Sequence, residues 1–158
     1  MRAKLMTAAA ILCATVGVAA AAHAEEGPTR AEYVAQVDPI CKANTDANRP
    51  YLNRAKKLGH EHKYVAAAGN IRHAAENFGR TLKAIEAVPR PAADSPRLEK
   101  WFKFLRIVQT NLGKVGKALK EGNKVKAVHE EIRTERSSNA ANNVSFVFGF
   151  KYCHLKGT

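Results

Sequence analysis

Aromatic residues make up only 7% of the 158 residues, and the chain has three cysteines and one tryptophan. Acidic residues are also few, since 14 Asp and Glu stand against 26 Lys and Arg and give a net charge of +12. This composition excludes collagen-like, mucin-like and acidic disordered chains. The sequence also lacks a G-x-S-x-G motif, an H-E-x-x-H motif and a glycine-rich phosphate loop. We therefore expect a non-enzymatic protein, and no cofactor is implied.

The first 24 residues have the pattern of a cleaved secretory signal. Two basic residues precede an uncharged apolar run over 5–22, and Ala22-His23-Ala24 offers the small residues that signal peptidase requires. One alternative is an uncleaved membrane anchor, for which about 18 residues is the lower limit of length. A lipoprotein acylated at Cys13 is disfavoured, because Leu12 stands where a small residue is needed. We expect cleavage after Ala24, one domain over 25–158, and a secreted or cell-envelope location.

Cleavage would remove Cys13 and leave Cys41 and Cys153 as the only cysteines. An even pair in an exported chain predicts a disulfide bond, and two free thiols are the alternative. The bond would close a loop of roughly 110 residues, for which the chain-entropy model gives about 4–5 kcal/mol. A redox-active pair is not indicated, because the two cysteines are far apart in sequence.

The first predicted helix begins at a capping box, Thr29-Arg30-Ala31-Glu32, and ends at Gly59. Pro39 and Pro50 lie inside it, so we expect the helix to be kinked or broken there. Its apolar stripe has a polar gap at Asn44 and consists of Tyr33, Val37, Ile40, Ala47, Tyr51, Ala55 and Leu58.

The second and third helices have the clearest periodicity. The second is predicted over about residues 61–87, with the stripe Tyr64, Ala68, Ile71, Ala75, Phe78, Leu82 and Ile85. Ser95 is the predicted N-cap of the third helix, with Pro96 following. The third stripe is the main core element, formed by Leu98, Trp101, Phe102, Leu105, Val108, Leu112, Val115 and Leu119.

The fourth helix is predicted to begin near Asn123 and to reach a C-cap at Gly149. Its apolar pattern is weak and consists of Val125, Val128, Ile132, Val144 and Val147. The alternating aromatics Phe146, Phe148, Phe150 and Tyr152 could instead form a strand. No other segment offers a partner strand, so we favour a helix end followed by an extended tail.

Four amphipathic helices with short turns predict an all-α, antiparallel up-down-up-down bundle. That topology places the end of the fourth helix beside the first half of the first, and so brings Cys153 near Cys41.

A family resemblance rests on Glu32-Tyr33, Ile40-Cys41, Leu82 to Pro89, Trp101 and Gly149 to Cys153. These features are similar to the functionally uncharacterised small secreted two-cysteine helical proteins of high-GC Gram-positive bacteria. The resemblance implies an exported helical fold with the two cysteines paired, and no catalytic residues come with it. Pro39 departs from the helix-forming residue usual there, which puts a continuous first helix in doubt.

Positive charge is concentrated in residues 97–126, which hold nine basic and two acidic side chains. On a helical projection a row of basic residues lies opposite the apolar stripe of the third helix. We call this row the α3 ridge; it consists of Lys100, Lys103, Arg106, Lys114 and Lys117. Such a surface attracts an anionic wall polymer, lipid headgroups or an acidic protein, or it only keeps the protein soluble. Sequence-specific nucleic-acid binding is not expected, because the aromatics lie on the buried side.

The second functional hypothesis is a small-ligand or metal or haem carrier that uses the bundle interior or the histidines. His60 and His62 could supply two ligands, with His73, His129 or His154 completing a site. The usual spacing of a structural zinc site is missing, and haem attachment would need C-x-x-C-H. We therefore expect no metal site, and favour an exported helical module that binds an anionic partner.

Overall fold

The computed structural model describes residues 27–155, which form four α-helices joined by short connections. Helix α1 is Arg30–His60, α2 is Tyr64–Glu86, α3 is Ser95–Lys120 and α4 is Lys124–Phe148. A 3-10 turn, Ala92–Asp94, precedes α3. The helices pack in chain order, α1 on α2, α2 on α3 and α3 on α4, which confirms the predicted up-down bundle. The proposed signal segment lies outside the described residues.

None of the helices in residues 27–155 combines the length and the apolarity needed to cross a bilayer.

Helix α1 is continuous across both of its prolines, so of the expected kink or break at Pro39 and Pro50 the break does not occur. Both prolines are on the exposed side of the helix. Because proline has no amide hydrogen, the carbonyl four residues earlier, at Ala35 or Asp46, lacks its helical hydrogen-bond donor. These two residues are exposed as well, so water can bond to their carbonyl oxygens and the helix continues.

The starts of α1 and α3 were predicted with different success. The capping box of α1 is present, since Thr29 N donates to Glu32 Oε2 at 2.8 Å and Glu32 N donates to Thr29 Oγ1 at 3.3 Å. The predicted N-cap of α3, Ser95, is instead the first helical residue, and Asp94 occupies the N-cap position. Asp94 makes no capping bond with its side chain because its carboxylate is bound to Arg30.

Phe150 lies at the centre of an aromatic cluster near the C-terminal end of α4. It follows Gly149, which ends α4 as predicted with a left-handed φ of 83°, and it is 3% exposed. Its ring centroid is 5.0 Å from that of Trp101, 5.2 Å from that of Phe148 and 6.2 Å from that of Tyr33. The chain beyond α4 therefore contributes to the core that α1 and α3 share.

The segment 149–155, which we call the C-terminal tail, is fixed to α1. The predicted disulfide between Cys41 and Cys153 is present, with a Cα–Cα distance of 5.0 Å. One turn earlier on α1, Asp38 accepts hydrogen bonds from the backbone amides of Lys151 and Tyr152, each at 3.0 Å. A covalent bond and charge-assisted hydrogen bonds thus act on the same short segment.

The other side of the C-terminal tail is bound to α4. Asn142 pairs with the backbone of Leu155 in both directions, as donor and as acceptor, at 2.7 Å each. Ser145 Oγ donates to the carbonyl of Cys153 at 3.1 Å and is itself fully buried. The tail therefore joins α4 to α1, although these two helices do not pack along a common face within residues 27–155.

The apolar stripe predicted for α4 is wrong, because most of its members face away from the bundle. Val125 is 71% exposed, Val128 53%, Ile132 41% and Val147 56%, whereas Val144 is buried. The side facing α3 is made of smaller or polar residues, namely Ala127, Glu130, Ser138, Ala141 and Ser145, together with Val144 and Phe148. Small side chains let α4 lie close to α3, so its core face is not its most apolar one.

The stripe predicted for α1 is also corrected in its middle turn. Ala47 is exposed, whereas Asn48 is buried at 6% exposure. Asn48 Nδ2 donates to Asn44 Oδ1, and Asn77 Nδ2 of α2 donates to Asn48 Oδ1, both at 2.9 Å. Thr81 Oγ1 of α2 donates to Asn44 Oδ1 at 3.0 Å. These hydrogen bonds join α1 to α2 where the sequence pattern has only a polar gap.

The turn between α1 and α2 and the turn between α3 and α4 have the same backbone conformation. Equivalent residues in the two turns differ by 60 in number. Glu61 and Glu121 are the helix C-caps, and the next residues, His62 and Gly122, have positive φ values of 59° and 70°. Lys63 and Asn123 then occupy the N-cap position. Asn123 accepts a hydrogen bond from Lys126 N at 3.0 Å, whereas Lys63 makes no capping bond with its side chain.

Replacing each of these two N-cap residues by the other should change the free energy of unfolding in opposite directions. Lys63→Asn should stabilise the fold by about 1 kcal/mol by supplying the missing acceptor, and Asn123→Lys should destabilise it by a similar amount. Urea unfolding of both variants beside the natural protein is the measurement. Equal midpoints for all three proteins would show that the capping bond of Asn123 contributes nothing.

Asp94 gives the fold a predictable response to acid. Arg30 Nε and Nη2 donate to its two carboxylate oxygens at 2.8 and 2.6 Å. These hydrogen bonds hold the pKa of Asp94 below its ordinary value, although burial opposes them by raising the pKa. The ionised carboxylate therefore stabilises the folded state above the unfolded pKa of about 3.9, and this contribution is lost as the pH falls through the lower folded pKa.

Asp94→Asn should accordingly unfold at a lower urea concentration than the natural protein at neutral pH. The difference should shrink as both proteins are titrated from neutral into the acid range, because protonation of Asp94 removes its ion pair with Arg30. A difference in midpoint that stays constant over this range would contradict the assignment.

Candidate anion-binding face

All five residues of the α3 ridge are exposed, as the sequence predicts. Helix α3 is held in place from its other side by Trp101, Phe102 and Leu105, each no more than 2% exposed. From Lys100 to Lys117 the ridge extends about 26 Å at 1.5 Å per residue. The bundle thus presents these charges on a rigid element that packs on both α2 and α4.

The ridge residues differ in how far neighbouring carboxylates neutralise them. Arg106 Nε donates to Glu86 Oε1 at 2.8 Å, and its Nη2 lies 2.6 Å from the same oxygen. Lys117 Nζ is 3.9 Å from Glu121 Oε1, one turn along the chain. The other members, Lys100, Lys103 and Lys114, have no carboxylate within 4.0 Å anywhere in residues 27–155.

The unpaired lysines fall into two groups. Lys100 and Lys103 are three residues apart, while Lys114 lies about 16 Å further along α3. Thr110 and Gly113 are exposed between the groups and add no charge. Like charges three or four residues apart destabilise a helix by a few tenths of a kcal/mol, so intrinsic helix stability does not account for this arrangement.

Two lysines near the ridge were not assigned to it from the sequence. Lys120 is exposed three residues after Lys117 and extends the row to the end of α3. Lys124 behaves differently, because its Nζ lies 4.3 Å from the centroid of the Tyr64 ring. This cation–π contact turns Lys124 toward the start of α2. The helical projection could place Lys120, but it could not show which lysine contacts another helix.

The aromatic side chains of α3 are not available for stacking on a ligand. Trp101 and Phe102 are buried and Phe104 is half-buried, while Arg90 covers the Phe102 ring at 4.5 Å from its centroid. Proteins that bind single-stranded nucleic acid use exposed aromatics beside basic residues. The ridge can therefore attract anions by charge but offers no platform for a base.

Three of the histidines make separate local contacts. His62 Nδ1 is 2.8 Å from Tyr64 Oη, the His73 ring lies tilted against that of Tyr51 at 5.3 Å between centroids, and His154 Nε2 is 2.8 Å from the carbonyl of Phe150. His60 and His129 are exposed. Among residues 27–155, no group of three or more His, Cys, Asp or Glu side chains is placed to hold a metal ion.

Comparisons with protein-family models, with curated proteins and with solved structures find no match. No residue role can therefore be transferred from a relative, and the candidate face stands on its own geometry.

Proposed function

We propose that this protein is an exported, non-enzymatic helical module that binds an anionic partner at the cell envelope through the α3 ridge. The observation that carries the proposal is the exposure of Lys100, Lys103 and Lys114 without a neighbouring carboxylate. The disulfide adds support for an extracytoplasmic location, since such bonds persist mainly in oxidising compartments.

The form of the ridge favours an extended anion over a small one. Its charges are spread along one helix for about 26 Å and do not converge on a single point. A wall polymer, a layer of lipid headgroups or an acidic protein segment offers negative charges at several points along such a line. Binding by charge alone is sensitive to salt, because it proceeds by release of counterions from the polyanion.

The test is the salt dependence of binding to inorganic polyphosphate. A triple variant, Lys100→Gln with Lys103→Gln and Lys114→Gln, should bind more weakly, and the slope of log K against log salt should become shallower by about 2. A matched control neutralises three other exposed lysines without a salt bridge, Lys56, Lys83 and Lys126. The control has the same net charge and should keep most of the natural slope.

Equal losses in the two triple variants would show that net charge, and not the ridge, governs binding. Weak binding of the natural protein, released at low salt, would likewise exclude the ridge as a functional surface.

A further inference from the structure

Helix α4 has a second apolar face that its own chain does not cover. Val125 is 71% exposed, Ile132 41% and Phe146 79%, and Val128 between them is 53% exposed. The face lies opposite the residues that contact α3. Three β-branched residues and a phenylalanine on one outward side of a helix form more than scattered surface hydrophobics.

The spacing of this face is that of a coiled-coil seam. Val125, Ile132, Asn139 and Phe146 follow one another at intervals of seven residues, which are the a positions of successive heptads. Val128, Glu135 and Asn142 then occupy the d positions, and Asn142 is already paired with the backbone of Leu155. In parallel two-stranded coiled coils, β-branched residues are preferred at a, and a single asparagine at a fixes the register and the two-stranded state. Asn139 is exposed, as expected in the monomer for a residue that would lie in the seam of a dimer.

The charges beside the seam are complementary to those of a second copy in parallel orientation. Glu131 falls at a g position and Arg136 at the following e position, and both are exposed. In a parallel pair, g of one helix faces the next e of the other. Each Glu131 would therefore face Arg136 of the second copy, and the two-fold symmetry forms this ion pair twice.

We propose that this protein forms a parallel two-fold dimer through the outward face of α4. An antiparallel pair would bring e positions beside e positions and g beside g, so Glu131 and Arg136 of the two copies would no longer face each other. An anionic membrane is the less suitable occupant, because Glu131 and Glu135 are exposed on or beside the same face. The proposal is independent of the α3 ridge, since the face contains no ridge residue.

The dimer should be weak. Helix α4 has 25 residues and is therefore about 37 Å long, so a single helix pair buries an area at the low end for specific complexes. Glu135 and Asn142 at d positions lower the stability further, as polar residues in a seam do. We expect a dissociation constant on the order of 10 μM, which a concentration series can detect.

Sedimentation velocity over a range of about 1 μM to 0.5 mM tests the proposal. The natural protein with its disulfide intact should shift from monomer to dimer, and Ile132→Asp should remain monomeric. The control is Val65→Asp, which places the same charge on a valine that is 66% exposed near the start of α2. This control should dimerise normally, and circular dichroism should show unchanged helicity for both variants.

Charge exchange tests the pairing itself. Glu131→Arg and Arg136→Glu should each dimerise less than the natural protein, because each places like charges in contact. An equimolar mixture should form heterodimers in which opposite charges face again. Oxidation of Phe146→Cys should link two copies through residue 146, since a parallel two-fold brings each a position to its own equivalent.

A natural protein that stays monomeric at about 0.5 mM would overturn the proposal. It would also be overturned by equal loss of dimer in Ile132→Asp and Val65→Asp. Binding to phosphatidylglycerol vesicles that Ile132→Asp abolishes, without a dimer at any concentration, would assign the face to a membrane instead.

Discussion

The attachment of the C-terminal tail to α1 is the constraint on which the rest of the structure depends. Within the described residues, extensive packing joins only helices that are consecutive in the chain. Helix α4 meets α1 at its end, where the Phe148 ring lies 6.1 Å from that of Tyr33, and the tail adds the covalent and hydrogen-bonded link between the two helices. The bond between Cys41 and Cys153 supplies the covalent part, and Asp38 binds two amides of the tail. Because Phe150 lies within this tail and stacks on Trp101, the same attachment completes the aromatic cluster around Phe150.

This arrangement explains how α4 can have such a small and polar inner face. Much of the apolar burial at its end comes from Phe148 and Phe150, while Ser145 is buried with its hydroxyl bonded to the tail. Helix α4 is therefore held both by its packing on α3 and by the tail at its C-terminal end. Helix α3 has the opposite arrangement, with bulky core residues on its inner side and the α3 ridge on its outer side.

The sequence predicted most of the features whose causes are local. A capping box and a periodic stripe of large side chains correctly indicated the start of α1 and the core face of α3. The disulfide is not local, but it was predicted because Cys41 and Cys153 form an even pair outside the proposed signal segment. The sequence also placed the five residues of the α3 ridge on the exposed side of the helix, because helical projection fixes their side of α3. The inner face of α4 was missed, because Ala127, Ser138 and Ala141 resemble surface residues until α3 is placed beside them. Asp38 was missed since its partners lie 113 and 114 residues away, and the ion pair of Arg106 with Glu86 depends on helix packing.

The most direct test of the central claim is native-state hydrogen exchange at the tail. The amides of Lys151 and Tyr152 bond to Asp38, and that of Leu155 bonds to Asn142. If the tail is the link between α4 and α1, these three amides should exchange nearly as slowly as the amides in the middle of α3, and Asp38→Asn should accelerate the first two. Exchange at the rate of a frayed terminus in the oxidised natural protein would contradict the account.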